Sequence, residues 1–426
     1  MRFRFLLAIV SLFLSLATSA DNRSNECAGC WLPAANSPTV EDSLGVNIHF
    51  VDPKPGEVKM IAEAGFRWIR TDFVWEATER DRGRYDFSAY DRLLKQLDDF
   101  QLRALFILDY GNPLYTSGKA VRTPEARAAF ARWAVAAARH FTGRGVKWEL
   151  FNEPNNRMFW PPEPNAEEYN ALAQEVGRAF RAAVPNEQLI GPAIDSADLN
   201  FLRSCFKAGS DDWWSAVSVH PYRQANPETA AHDYARLREM IDEGDAPAKP
   251  LDIISSEWGY SSAWSQMNEE RQALLLTRQF LTNLANGISL SIWYDWSNDG
   301  VDAKDAEDNF GLVRHEYRGE SGSAYEPKPA YLAAKTLTNM LKGFRFQQRL
   351  NAGGPDDYVL AFVKQGERRL VAWTAAPTPH RIVIPNLSGQ FSLTTMSGSN
   401  GGRSIATKDT LTIEVSGSPI YLVAAN

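Results

Sequence analysis

The segment VKWELFNEPN, residues 146–155, runs apolar and then stops on Asn152, Glu153 and Pro154. It reads as a buried strand whose polar residues gather at its C-terminal end. Strands covered on both faces, as in a parallel sheet between helices, read as near-continuous apolar runs rather than as an alternation. Seven further runs share that character: LGVNIHF (44–50), FRWIRTDF (66–73), LRALFILDY (102–110), LIGPAI (189–194), WSAVSVHPY (214–222), LDIISSEW (251–258) and SLSIWYDW (289–296). Helical patterns lie between them. Thr123 reads as an N-cap with Pro124 in the first helical position. Phe130, Trp133, Ala137 and Phe141 then recur at three- and four-residue steps, as do Tyr169, Leu172, Val176 and Phe180 in the next helix. KPAYLAAKTLTNML supplies a covering helix after the eighth strand. Eight strand–helix units predict an α/β fold, a (β/α)8 TIM barrel. A doubly wound open sheet fits less well, because no Gly-rich phosphate loop opens a helix.

From about residue 344 the pattern changes to short strands broken by Gly, Asn, Pro and Ser: YVLAFVK, RRLVAWTA, HRIVIP, FSLTTM, LTIEV and PIYLVAA. These predict a C-terminal antiparallel β-sandwich domain. The expected organisation is a signal peptide at 1–20, a polar tail at 21–40, the catalytic barrel at 41–343 and the sandwich at 344–426. Arg2 and Arg4, an apolar run and the small residues ending at Ala20 give the leader its form. The run is short for a membrane span. Cleavage after Ser19 or Ala20 leaves a secreted or periplasmic protein with no membrane span. That step removes two Arg and no acid, so the net charge moves from −7 to −9. Such a surface does not seek nucleic acid or anionic lipid through bulk charge. Cys27 and Cys30 are spaced for a bridge in an oxidising compartment, which leaves Cys205 unpaired. Without a second Cys pair or a His cluster nearby, they do not suggest zinc. The 13 Trp, 14 Tyr and 22 Phe fit a large core first and sugar-stacking platforms second.

In such barrels the functional groups stand at the C-terminal ends of the strands. There the sequence places Asn152 and Glu153 on strand 4, His220 and Tyr222 on strand 6, and Glu257 on strand 7. Arg70 and Asp72 stand on strand 2, Asn47 and His49 on strand 1, and Tyr294, Asp295 and Trp296 on strand 8. One Glu at a strand end means little, since a salt bridge explains it. Two of them, three strands apart around an eight-strand ring, can face each other across a cleft. That is the arrangement that cleaves a glycosidic bond.

WELFNEPN resembles the acid/base motif of clan A glycoside hydrolases, SSEWGY their nucleophile strand, and VHPYR their strand-6 His-x-Tyr. The chain looks closest to glycoside hydrolase family 39, which includes β-xylosidases and glycosidases associated with bacterial exopolysaccharide operons. NEPNNRMFWPPEPNAEEYNALA, LGVNIHF and EPKPAYLAA carry the likeness to the latter. The resemblance spans roughly 41–426. It implies a retaining hydrolase of O-glycosidic bonds in an oligo- or polysaccharide, with Glu153 as general acid/base and Glu257 as nucleophile. Asn152 would donate to the sugar 2-hydroxyl, and Arg70 and Tyr222 would stabilise Glu257. His220 would orient the site near Glu153. Glu153 must be protonated at working pH, by burial or by the neighbouring charge of Glu257.

Other residues admit two readings each. Trp160 is a sugar platform or a hydrophobic staple. Strand alternation points Tyr294 and Trp296 the same way, so that one of them floors the subsite of the cleaved sugar. Asn47, His49, Asp109 and Asn112 stand as subsite ligands; Asp72 reads as structural. No cofactor and no metal are expected, because a metal-dependent barrel needs several His or Asp at strand ends and only His49 and His220 qualify. The competing functions are an inactive carbohydrate-binding barrel and a transglycosidase using the same site. Sugar, linkage and oligomeric state are not legible.

Overall fold

The structure, a computed structural model, describes residues 38–243, 251–319 and 322–425. The leader at 1–20, most of the polar tail and the Cys27–Cys30 pair lie outside the described residues. Cys205 is buried and free.

The eight barrel strands are β1 (Leu44–Asn47), β2 (Trp68–Val74), β3 (Arg103–Asp109), β4 (Lys147–Leu150), β5 (Gln188–Asp195), β6 (Ala216–His220), β7 (Asp252–Trp258) and β8 (Leu290–Trp293). All pair in parallel, and β1 closes on β8. The covering helices are α1 (Glu57–Glu63), α2 (Trp75–Thr78), α3 (Ser88–Asp99), α4 (Pro124–His140), α5 (Ala166–Ala183), α6 (Leu199–Lys207), α7 (Ala230–Glu243), α8 (Glu269–Ala285) and α9 (Pro329–Met340). Between β8 and α9 a short antiparallel ribbon forms from β9 (Val313–Tyr317) and β10 (Tyr325–Pro327).

Local chemistry sets these elements. The Thr123 hydroxyl accepts from the Ala126 N–H at 3.1 Å and starts α4. Its apolar stripe packs Phe130, Trp133 and Ala137 against the sheet, all fully buried. The barrel interior is a separate small cluster of Trp68, Leu105, Ile190, Ala216, Ile254, Leu290 and Ile292. It plugs the N-terminal half, so the polar residues farther along the same inward rows are displayed at the C-terminal mouth. At the opposite end lies a hollow of about 630 Å³ whose lining includes Trp68, Arg103, Lys147, Asp42, Glu187 and Asp252.

The second unit comprises β11 (Arg345–Arg349), β12 (Asp357–Lys364), β13 (Glu367–Thr374), β14 (His380–Pro385), β15 (Gln390–Thr395), β16 (Asn400–Ile405), β17 (Thr410–Val415) and β18 (Ile420–Ala424). Six strands form an antiparallel sheet in the order β11-β12-β13-β18-β15-β16, faced by the β14-β17 pair. Val359, Ala361, Leu370, Ile382, Ile384, Leu411 and Ile413 fill the space between them. The other face of the large sheet joins the barrel's own core through Phe362, Val371 and Trp373. Glu228 ties that seam: it accepts from Trp373 at 2.6 Å and takes both arms of Arg278 at 2.7 and 2.6 Å.

Candidate active site

At the end of β4 the backbone leaves the sheet sharply. Phe151 and Glu153 both have positive φ, 69° and 42°, a conformation that L-residues adopt at a cost of about 1–2 kcal/mol each. The turn is pinned from both sides. The Phe151 N–H donates to Leu108 O at 3.1 Å, and the Glu153 N–H to Ala193 O at 2.9 Å. Asn155 fastens the loop to β5, donating to Asp195 O at 3.0 Å and accepting from its N–H at 2.8 Å. The turn therefore aims Glu153 over the barrel mouth, where a straight strand would not.

Arg70 is the centre of the site. It is buried, and each guanidinium nitrogen has a partner: Nε donates to Glu149 at 2.7 Å, Nη1 to Glu257 at 2.7 Å and to Asn47 at 3.2 Å, Nη2 to Asn152 at 2.8 Å. Burial opposes the charge, but Glu149 and Glu257 hold Arg70 protonated well beyond its ordinary range. Burial pushes Glu149 up most strongly, but Arg70 and the surrounding donors, Ser218 and Ser256 among them, together outweigh it, so this carboxyl is held below its ordinary value. Ser218 donates to Glu149 at 2.6 Å and lies 2.5 Å from Ser256, whose hydroxyl reaches His220 Nε2 at 3.0 Å.

Nη2 of Arg70 also stands 3.3 Å from His220 Nε2. Arginine can only donate, so Nε2 faces it with a lone pair and the ring proton belongs on Nδ1. From there it donates to Glu153 Oε1 at 2.8 Å. Burial pushes the His220 imidazole below its ordinary value, which keeps it neutral in this role. Asn156 donates from one amide to Glu153 Oε2 at 3.2 Å and to Asp195 at 3.1 Å. Glu153 is raised to about 8, first by burial and next by Asp195. The neighbouring charge that matters is thus Asp195 on β5, not Glu257 as the sequence suggested.

Across the mouth, Glu257 ends β7. Its Oε2 takes Arg70 and its Oε1 accepts from the Tyr222 hydroxyl at 2.9 Å. Burial, and then Glu257, keep that phenol protonated. Oxygens of Glu153 and Glu257 lie within 4.8 Å of each other and of a His220 ring nitrogen. Asn152 uses its Oδ1 on Arg70, which leaves Nδ2 as a donor. Together these groups can protonate one oxygen while a second carboxyl, fixed by Arg70 and Tyr222, faces the same space.

The structure brings Arg70, Asn152, Glu153, His220, Tyr222, Glu257 and Tyr294 together. Tyr294 forms a wall: its ring packs edge-on to Tyr222, Phe310 and His49, and its hydroxyl donates to Glu307 at 3.3 Å. Asn47 braces Arg70 from behind. His49 stands at the rim, 3.3 Å from Asp295. Burial opposes its charge, but Asp295 raises it to about 9.

Three expectations are corrected. Trp296 does not share the orientation of Tyr294, because β8 ends at Trp293 and the alternation stops there. It is buried and donates to Glu57 at 3.1 Å. Trp160 is no platform either. It is 0% exposed, donates to Glu168 at 2.9 Å and packs edge-on to Phe151 and Tyr169. Trp160→Ala is therefore expected to destabilise the fold by about 3–5 kcal/mol and leave KM near wild type. Denaturant melts alongside kinetics check this, and a raised KM with unchanged stability would restore the platform. Asn112 also proves structural, donating to Glu79 O at 2.8 Å. Sequence reading missed Glu149, Ser218, Ser256, Asn156 and Asp195. Strand alternation could have found the first three, which lie on the inward rows below the named residues.

Among the described residues, two groups could seat a cation, with ligand atoms mutually within 4.8 Å: Glu153–His220–Glu257, and His49–Asp295–Asp299. A cation in the first would occupy the space between the two carboxylates. No described helix is long and apolar enough to cross a membrane.

The Cellulase (glycosyl hydrolase family 5) family model matches residues 35–300. No curated protein matches the chain. A family 39 glycoside hydrolase from the gut symbiont Bacteroides cellulosilyticus WH2 is 25% identical, with 91% of this chain and 82% of that one covered and a TM-score of 0.76. A family 39 β-xylosidase from Caulobacter crescentus is 16% identical over 92% and 99%, with a TM-score of 0.65. A family 30 endoxylanase from Clostridium papyrosolvens C71 is 13% identical over 92% and 97%, at 0.62. The last two share the fold.

Proposed function

The chain belongs to the Cellulase (glycosyl hydrolase family 5) family, in clan A, and is a glycoside hydrolase; from that premise we propose that it cleaves O-glycosidic bonds with retention, by double displacement. One observation carries the reading. Two carboxyl groups approach within 4.8 Å across the mouth, one held protonated and the other held by a cation and a phenol. Retaining enzymes place their carboxyls about 5–5.5 Å apart, whereas inverting ones leave about 6.5–9.5 Å for a water.

Glu257 Oε attacks the anomeric carbon as Glu153 gives its proton to the departing oxygen. The glycosidic C–O bond breaks and a glycosyl–Glu257 ester forms. Glu153, now ionised, takes a proton from water, whose oxygen attacks the same carbon and releases Glu257. Arg70 and Tyr222, which contact its two oxygens, would stabilise the charge that returns to Glu257 as it leaves the sugar in the second step. Asn152 Nδ2, left free by the bond of Oδ1 to Arg70, would donate to the 2-hydroxyl, a contact that strengthens as the ring gains oxocarbenium character.

The test is the anomer first formed, read by proton NMR before mutarotation; an inverted first product overturns double displacement. The names of the similar β-xylosidase and endoxylanase put xylosides in the first substrate panel. The pH profile adds a second check. An acid with a pKa of about 8 is protonated below that pH, so activity should fall as pH rises through about 8. Asp195→Asn removes one cause of the raised value and should move that limb to lower pH. An unmoved limb would assign it to another group.

Export rests on residues 1–20 alone. The leader-like segment supports a secreted or periplasmic protein, and N-terminal sequencing of the mature form should begin at Ala20 or Asp21. A mature protein that retains Met1 would rule this out.

A further inference from the structure

A second cluster of ligand-type side chains stands where the barrel closes. β1 pairs with β8 at that seam, and both strands run out at the mouth. His49 lies two residues past β1, Asp295 two past β8, and Asp299 in the turn that follows. One ring nitrogen and two carboxylate oxygens from these residues lie within 4.8 Å of one another. The backbone holds the segment that carries the acids. The Trp296 N–H donates to Asn47 O at 3.0 Å, the Leu312 N–H to Asp295 O at 3.1 Å, and the Asn298 N–H to Val313 O at 3.0 Å. The fold itself thus brings the three side chains together.

Acids gathered at a surface need no ion, but Asp295 is not at the surface. It is 0% exposed, and neither of its carboxyl oxygens has a hydrogen-bond partner. His49 Nε2 stands 3.3 Å from one of them, without hydrogen-bond geometry. Lys328 is buried too, but its Nζ is engaged by Asn298 Oδ1 at 3.1 Å and Asn309 O at 3.2 Å. A buried carboxylate so placed bears a desolvation cost that nothing in direct contact offsets in full. A protonated His49 answers part of it, yet Asp299 then faces the pair as a second acid. Three lone pairs directed at one point are better matched by a divalent ion. The spacing agrees. Ligands about 2.0–2.2 Å from one ion, at tetrahedral or octahedral angles, lie about 3.0–3.5 Å from each other. His49 and Asp295 already stand 3.3 Å apart. Asp299 has only to draw in from within 4.8 Å, and it sits on an exposed turn just before Gly300.

We infer that His49, Asp295 and Asp299 form a site for one divalent transition-metal ion, of the Zn²⁺ or Mn²⁺ type, at the rim of the mouth. The imidazole sets the class of ion. Ca²⁺ and Mg²⁺ take oxygen donors, whereas a mixed nitrogen and carboxylate set suits first-row ions. The ion replaces the proton that His49 otherwise holds. It ties the end of β1 to the turn after β8 and steadies Tyr294, whose ring packs edge-on to His49 at 5.5 Å and to Tyr222 at 6.5 Å. The group shares no residue with Glu153, His220 and Glu257, so the inference does not depend on the glycosidase reading.

The test is calorimetric titration of the untagged, chelator-stripped full chain with Zn²⁺, Mn²⁺, Ca²⁺ and Mg²⁺, at mildly alkaline pH, where protons compete less for His49. One equivalent of Zn²⁺ should bind at this site, more tightly than Mn²⁺, Ca²⁺ or Mg²⁺. His49→Gln and Asp299→Asn, both at exposed positions, should each weaken that binding by about 100-fold, the upper end of what even an outer-shell change costs. Asp295→Asn should do the same, and the two exposed variants decide the matter if it does not fold. Glu153→Gln should leave the affinity unchanged, which separates this site from the carboxylate pair. Zn²⁺ held by Cys27 and Cys30 persists in all of these variants and is told apart on that ground. Zn²⁺ should also raise the Tm of the wild type and not that of Asp299→Asn. No uptake of any of the four ions overturns the site, as does wild-type affinity in either His49→Gln or Asp299→Asn, or uptake lost only in Glu153→Gln. Ca²⁺ bound more tightly than Zn²⁺ overturns the assigned class of ion. A chain that binds Zn²⁺ here and cleaves no glycoside sinks the glycosidase reading alone.

Discussion

Replacing Glu257 by Ala is expected to lower kcat by on the order of 10⁴-fold or more, with little change in stability. The side chain ends β7 at the open mouth, with 14% of its surface exposed, so its removal empties space that water can fill. Its departure also leaves no buried charge unpaired, since Arg70 keeps Glu149 as a counter-ion at 2.7 Å. What is lost is the nucleophile. Without it the anomeric carbon has no partner on the face opposite the leaving oxygen, and Glu153 can protonate but not displace. The vacated space, with Arg70 Nη1 and the Tyr222 hydroxyl pointing into it, suits a small anion. Azide should therefore restore part of the rate on an activated aryl glycoside and give a glycosyl azide of inverted configuration. Turnover within tenfold of wild type, without azide, would remove Glu257 from the mechanism.

The same geometry shows how far the sequence could be read. The barrel was legible because eight apolar runs were separated by helical patterns with a buried stripe, and parallel strands covered on both faces leave that signature. Glu153 and Glu257 were legible because each closes a strand. The edge strands were not: β11 (RFQQR) and β16 (NGGRSI) lie at the two margins of the large sheet, where one side lacks a neighbour and polar residues are tolerated. Trp296 was misread because it sits past the end of β8, where alternation no longer fixes direction. Of the two readings open for Trp160, the staple is the one the structure bears out, since an aromatic ring in that loop gains more by burial. The cause of the raised Glu153 pKa was hidden too. Asn155 and Asn156 bring Asp195 to it from β5, and side-chain bridges between loops leave no periodic trace.

Arg70→Met is expected to cost about 3–5 kcal/mol of stability at neutral pH and to abolish activity. Arg70 is 1% exposed and Glu149 0% exposed, so the substitution leaves a carboxylate in the barrel without its cation. The pH dependence should change sign in a defined way. In the wild type, Arg70 holds the Glu149 carboxyl below its ordinary range, so the stability it contributes is present above the unfolded value and is lost as pH falls through the folded one. In Arg70→Met only burial and the hydroxyls remain, and burial raises a carboxyl. The folded protein then keeps Glu149 protonated where the unfolded chain ionises. Stability is greatest below the unfolded value and declines as pH rises through the folded one. Urea unfolding of both proteins at pH 5 and pH 8 reads this directly: the deficit of Arg70→Met should be larger at pH 8. Adding Glu149→Gln should return much of the stability, since no charge is then stranded. It should not return activity, because Glu257 still lacks the cation that pairs with it and stabilises its release from the sugar. A deficit equal at both pH values would mean that lost packing, not the stranded charge of Glu149, sets the cost.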